Sequence, residues 1–437
     1  MDFIKNMLEL IKNLSQRFFR SKLVIGSFIL TVGTLVGGLG NYFYHLLMGR
    51  MLGPTDYGVL VSLISLSYIL SVPIGTLNIV IIKFVSTFKG KKEMGAVGTL
   101  FKSGVKKVLP FSLLILFIFL VLTPLITSFL HLNSSFPFII ILGAFFISVF
   151  SAINRAVLQG LLRFKYISLS NVLEIGLKLI IAVLLVFAGL KVNGALLGFL
   201  IAGIFTYFFT FYPLRFLLGK TQKKINFDGR EVFNFALPVL FSTLAFTSLY
   251  TSDVLLVRHF FPDQQTGLYA ALSTLGKIIY FLTGPIIAVM FPMISERHAN
   301  GGVYKNLLLA SLAMVGIVCL FITSAYFLFP TFIIKTLFGS QYILAVPYLG
   351  FFGIFLSLYS LSCLLTNFYL SIKETKVALM PVLAAGFQII LIWLFHKNFG
   401  QIIWISIGML SLLLLGLLLY YPQHLRKRSQ IILKNEK

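Results

Sequence analysis

Runs of about twenty apolar residues follow one another almost end to end through this 437-residue chain. Each is long enough to cross the roughly 30 Å hydrocarbon core of a bilayer, where a backbone must satisfy its own hydrogen bonds and therefore coils into a helix. Only 11% of the residues are charged and 58% are hydrophobic. An ordinary globular domain carries about 25% charged residues, so a soluble fold is excluded. The expected architecture is an all-α polytopic membrane protein with twelve spans at about 23–48, 58–82, 108–130, 136–158, 166–190, 194–218, 233–257, 268–292, 306–330, 344–371, 377–396 and 401–421.

A net charge of +24 invites a nucleic-acid reading, and the placement of the cations makes one unnecessary. With the N-terminus inside, 29 of the 36 Lys and Arg fall in inner loops and at inner span ends. The outer loops hold Arg50, Lys191, Arg258, Lys335 and Lys397, while Lys178 and Lys277 lie within spans. This is the positive-inside asymmetry, and it places both termini in the cytoplasm of a multi-pass cell-membrane protein with no nucleic-acid partner. Residues 1–22 lack the apolar core and small-residue cleavage site of a signal peptide. Phe3, Met7, Leu10, Leu14 and Phe18 recur there at helical spacing among Lys5, Lys12, Arg17 and Arg20, as in an amphipathic helix lying on anionic lipid; a solvated tail is the plain alternative. Cys319 and Cys363 sit in separate apolar runs, which leaves neither a disulfide framework nor a CxxC metal site.

The second half of the chain repeats the first at an offset near 208 residues. The segment from Arg50 through Pro54 to Gly58 faces that from Arg258 through Pro262 to Gly267; Ser86 faces Ser295, Pro124 faces Pro330, Lys191 faces Lys397, and Tyr212-Pro213 faces Tyr421-Pro422. Six spans per unit is an even number, so both halves enter the membrane from the same side and form a parallel repeat with a pseudo-twofold axis along the membrane normal. The division expected is an interfacial helix at 1–22, an N-terminal lobe at 23–218, a cytoplasmic linker at 219–232, a C-terminal lobe at 233–421 and a basic cytoplasmic tail at 422–437.

Ionisable groups inside spans are costly and usually face a partner or a wet cavity. Lys277, in span eight, and Asp253, near the outer end of span seven, belong to one hairpin and are expected to approach each other. In span five Asn171, Glu174 and Lys178 form a polar stripe, with Glu174 four residues ahead of Lys178 in the favourable order for a helical ion pair. Arg50 and Arg258 stand at outer span ends, where snorkelling anchors are the default. Arg155 and Lys83 stand at inner ends. Span two carries Pro73 and Gly75, and span eight carries Gly284 and Pro285; a proline removes a helical hydrogen bond, so these are candidate hinges or fixed bends. Gly33-xxx-Gly37 and Gly194-xxx-Gly198 allow close helix packing. No Walker loop, HExxH or GxSxG is present, and an enzymatic reading has no support.

Four segments carry a family resemblance: Arg50 to Gly58, Asn234-Phe235-Ala236-Leu237-Pro238, Phe291-Pro292-Met293-Ile294-Ser295, and Leu337-Phe338-Gly339-Ser340-Gln341-Tyr342. Over roughly residues 20–425 the chain resembles the Wzx-type polysaccharide flippases of the multidrug/oligosaccharidyl-lipid/polysaccharide exporter superfamily. The resemblance implies a MATE-like pair of six-helix lobes around a cavity lined by spans one, two, seven and eight. It also implies alternating access for a lipid-linked oligosaccharide. On that footing Lys277 is either a cavity cation for the substrate pyrophosphate or one half of a static pair with Asp253. Arg50, Arg155 and Lys83 are further candidate phosphate contacts. No cofactor is implied, and coupling to H+ or Na+ is left open. Membrane lipids and polysaccharide-assembly enzymes are the partners to consider. The competing reading is a cation-coupled MATE-type exporter; such exporters resemble one another in using a carboxylate in the first helices of the N-terminal lobe, and spans one and two here contain none.

Overall fold

The computed structural model describes residues 22–219, 229–299, 304–372 and 374–435. The amphipathic helix expected at 1–22 and most of the linker expected at 219–232 lie outside the described residues. Among the described residues the secondary structure is helical throughout. The α-helices are α1 (Lys22–Gly90), α2 (Met94–Val121), α3 (Thr123–Phe129), α4 (Phe136–Gly160), α5 (Phe164–Leu185), α6 (Lys191–Phe211), α7 (Gly229–Leu249), α8 (Ser252–Phe260), α9 (Asp263–Ala299), α10 (Lys305–Leu328), α11 (Pro330–Leu337), α12 (Leu349–Ser371), α13 (Leu379–Leu394) and α14 (Phe399–Asn435).

Nine of the described helical stretches are long and apolar enough to cross a membrane, or ten if the bent pair α7–α8 is one span. Two of them, Val32–Gly90 and Phe164–Leu217, run for 59 and 54 residues, well over twice the roughly 20 that one crossing needs. Both contain a glycine at positive φ, Gly53 at 72° and Gly189 at 89°, a conformation that costs a residue without Cβ little. The protein is a multi-pass helical membrane protein.

Contacts gather the described chain into two compact units that do not follow the sequence halves. One comprises Met1–His45, Pro73–Pro124 and Ser135–Val232; the other comprises Leu46–Val72, Leu125–Ser134 and Phe233–Lys437. The first unit centres on Val85, Val97, Phe101, Val157, Leu158, Leu214 and Leu217, all buried. Its helices approach closely through small residues: a Cβ on Gly33 would lie 2.1 Å from the Ser168 hydroxyl, and one on Gly198 would lie 2.9 Å from the Ala182 methyl. In lipid such close approach takes the place of hydrophobic driving force. The second unit is cored by aromatic residues, with Tyr57, Tyr269, Phe338, Tyr342, Phe352 and Tyr359 fully or almost fully buried.

Pro73 lies within α1 and Pro285 within α9, and both helices continue through them. The break in the membrane region of the second unit comes elsewhere, at Tyr250–Thr251, where the axis turns by 45° between Leu240–Leu249 and Ser252–Phe260. No proline is involved. The polar run Thr247, Ser248, Thr251, Ser252 and Asp253 offers side-chain partners to the backbone instead: Thr251 and Ser252 donate to the carbonyls of Thr247 and Ser248, and Asp253 accepts from the Val254 amide. The Leu249 carbonyl at the break receives the Gln388 side-chain amide of α13 at 3.3 Å.

Candidate functional site

The break brings three helical segments of the second unit together. Asp253, wholly buried in the first turn of α8, accepts hydrogen bonds from the Tyr269 hydroxyl at 2.8 Å and from the Val254 amide at 2.9 Å. Lys277, two turns further along α9 than Tyr269, is buried at 8% exposure. Its ammonium lies 5.7 Å from the centre of the Tyr68 ring and 5.3 Å from that of Tyr250. Among the described residues no ion pair joins Lys277 to Asp253; the two charges act on each other across a longer gap. Lys277 is therefore a desolvated cation stabilised by ring faces, an interaction that strengthens as water is excluded.

Tyr250 stacks on Tyr280 at 5.6 Å, and both meet Tyr359 edge-on at 5.4 and 5.2 Å. Tyr68, Tyr250 and Tyr280 remain partly exposed. The site thus presents one cation beside a shelf of amphipathic rings. Sequence reasoning missed the shelf: Tyr68 and Tyr359 lie about 200 residues before and 80 after Lys277, and no local pattern joins them. The polar run around Tyr250 was the available signal for a broken span, since irregular backbone at membrane depth is tolerated where protein buries it or it lines a cavity.

The first unit holds the other intramembrane polar group. Glu174 takes its ion pair from Arg155 on α4, at 2.7 Å, and not from Lys178; Asn171 accepts from the same guanidinium at 3.3 Å. Lys178 donates to the Asn41 side chain at 2.5 Å and lies over the rings of Tyr44 and Phe199 at 4.7 and 4.4 Å. Two helix faces thus divide the expected stripe between them. Among the described residues the buried Arg155 Nε has no hydrogen-bond partner. Lys83 is exposed beside Phe84. Gly75 and Gly284 face open space, with nothing within 4 Å of an added Cβ. Arg50 donates to the Thr336 and Leu337 carbonyls at the end of α11.

The fold has close counterparts. The chain superposes on an inward-facing multidrug resistance MATE family transporter of the MOP superfamily with a TM-score of 0.76, covering 91% of this chain and 96% of that one at 13% identity. It superposes on the lipid II flippase MurJ in its inward closed conformation with a TM-score of 0.66, covering 90% and 86% at 14% identity. In sequence it is 23% identical over 187 residues to an uncharacterized membrane protein of Methanocaldococcus jannaschii, a match spanning 39% of this chain and 44% of that protein. The polysaccharide biosynthesis protein profile matches residues 47–347, a stretch that takes in the broken span, Tyr250, Tyr280 and Lys277. That match covers well over half of the sequence, and the chain belongs to the polysaccharide biosynthesis protein family.

Proposed function

We propose that this protein is a flippase that carries a polyprenyl-pyrophosphate-linked oligosaccharide from the inner to the outer leaflet of the cell membrane by alternating access. The observation that carries the reading is Lys277, a buried ammonium with no salt bridge among the described residues, in a bilayer-spanning helix beside a broken span. A pyrophosphate is expensive to move through hydrocarbon, and a cation already desolvated in the path offsets that cost. Discontinuous helices recur where transporters hold their substrates near mid-membrane. Tyr250 and Tyr280 then offer amphipathic rings to the first sugar residues, an apolar face with a polar edge. The polyprenyl tail stays in lipid. In this reading each of the two long stretches makes two crossings and α7–α8 makes one, twelve in all, and the positive-inside asymmetry argues for both termini in the cytoplasm.

The test is translocation of a labelled polyprenyl-pyrophosphate sugar in proteoliposomes. Lys277→Gln is expected to abolish it at normal abundance in the membrane, and Lys277→Arg to retain part, because charge matters more than shape for a diffuse anion. Normal transport by Lys277→Gln, or movement of a cationic dye in place of the sugar lipid, overturns the proposal.

A further inference from the structure

Arg50 and Arg258 are repeat equivalents, and in the structure each grips the end of a short helix that belongs to the opposite sequence half. Arg258, 1% exposed, donates Nε to the Leu130 carbonyl at 2.7 Å and Nη2 to the His131 carbonyl at 2.9 Å, just past the end of α3. The adjacent His259 donates Nδ1 to the Phe129 carbonyl at 2.8 Å. Arg50 donates to the Thr336 and Leu337 carbonyls at the end of α11. The helices α3 and α11 are themselves repeat equivalents, beginning at Thr123 and Pro330. Each arginine thus occupies carbonyls left without helical partners, at the negative end of a helix dipole.

The reciprocity extends to the centre of this seam. Gly58 and Gly267, also repeat equivalents, meet backbone to backbone: a Cβ on Gly58 would lie 2.8 Å from the Gly267 amide nitrogen, and one on Gly267 would lie 1.8 Å from the Pro54 carbonyl oxygen. A residue touching its own counterpart, flanked by pairs that exchange partners, is the signature of an interface built on a twofold axis. The return contacts come from the turn after α11. Pro54 has no N–H to give the Arg50 carbonyl, and that carbonyl accepts from Gln341 at 3.3 Å, while the Gly49 carbonyl accepts from the Tyr342 hydroxyl at 2.8 Å.

We propose that Arg50 and Arg258 are the two arms of one clasp that holds the outer face shut, and that the path to the outside opens only when both let go. This rests on the flippase reading for what passes through the gate, and on the charge asymmetry for which side the clasp faces. The arms are unequal. Arg258 is buried and also bonded to Asp263 at 2.7 Å, whereas Arg50 is exposed and among the described residues donates to backbone carbonyls. Arg50 therefore releases first, and Arg258 holds the greater share of the closed state.

Thr274, buried beneath the seam and bonded to Tyr57, provides the readout. In a background with Cys319 and Cys363 replaced, Thr274→Cys should react slowly with a membrane-impermeant maleimide added outside. Arg258→Gln is expected to raise that rate about tenfold, the scale of losing charge-assisted hydrogen bonds. Arg50→Gln should raise it less, and the pair should multiply the two effects. Gly267→Ala, which wedges the same seam without touching either arginine, should also raise it. A cysteine at Ser135, outside the clasp, should label at an unchanged rate. An unaltered Thr274→Cys rate in the double arginine variant at normal abundance, or an equal rise at Ser135, overturns the clasp. The labelling needs no substrate, so a failed sugar-lipid assay with an intact labelling response would sink the flippase reading and leave the clasp standing.

Discussion

Asp253 shows how one side chain can serve backbone and site together. Its carboxylate occupies the Val254 amide at the start of α8 and the Tyr269 hydroxyl, while its charge faces Lys277 without touching it. Asp253→Asn keeps an acceptor in place and is expected to fold, with translocation reduced but above that of Lys277→Gln. Asp253→Ala strands the amide and the hydroxyl, a loss of about 1–3 kcal/mol, and should lower abundance and Tm in detergent. Transport by Asp253→Asn as poor as by Lys277→Gln would show that the carboxylate is as necessary as the lysine. Hairpin connectivity was enough to put Asp253 and Lys277 in one neighbourhood from the sequence. The partner of Glu174 was not legible in the same way, because helical spacing offers Lys178, whereas packing delivers Arg155 from another helix and turns the buried Lys178 toward Asn41.

Among the elements, the unusual one is the span broken without proline. Prolines at 73 and 285 mark candidate hinges or fixed bends because a missing N–H is visible in a sequence. A break stabilised by several hydroxyls, a carboxylate and a glutamine 139 residues away is not visible, since its last partner is tertiary. Gln388 is buried; its Nε2 reaches both the Leu249 carbonyl and the Ser406 hydroxyl, and among the described residues its own Oε1 has no partner. Gln388→Leu removes two hydrogen bonds and one unsatisfied acceptor together, so the net loss is expected near the low end of the range, about 1 kcal/mol. Thermal unfolding in detergent measures it; an unchanged Tm would mean that the carbonyl at the break needs no partner from α13. The long apolar runs, by contrast, were legible almost throughout, because membrane length and backbone satisfaction leave helices few alternatives.

For the whole molecule, orientation is the property that charge placement predicts most directly. Single cysteines at Ser135 and Lys91 should be labelled from outside and from inside respectively; labelling of both from one face would reverse the assignment of termini and of the clasp. The internal repeat was readable because paired motifs survive at a constant offset, while the way its halves share residues was not, since that depends on which ends meet in space. The second compact unit contains residues 46–72 and 125–134 from the first half of the sequence alongside nearly all of the second. Cutting the polypeptide between residues 219 and 232 therefore separates two stretches of the second compact unit from the rest of it. A C-terminal fragment made alone would carry the buried Arg258 guanidinium with two of its three acceptors missing, whereas the two fragments made in the same cell would each supply what the other lacks.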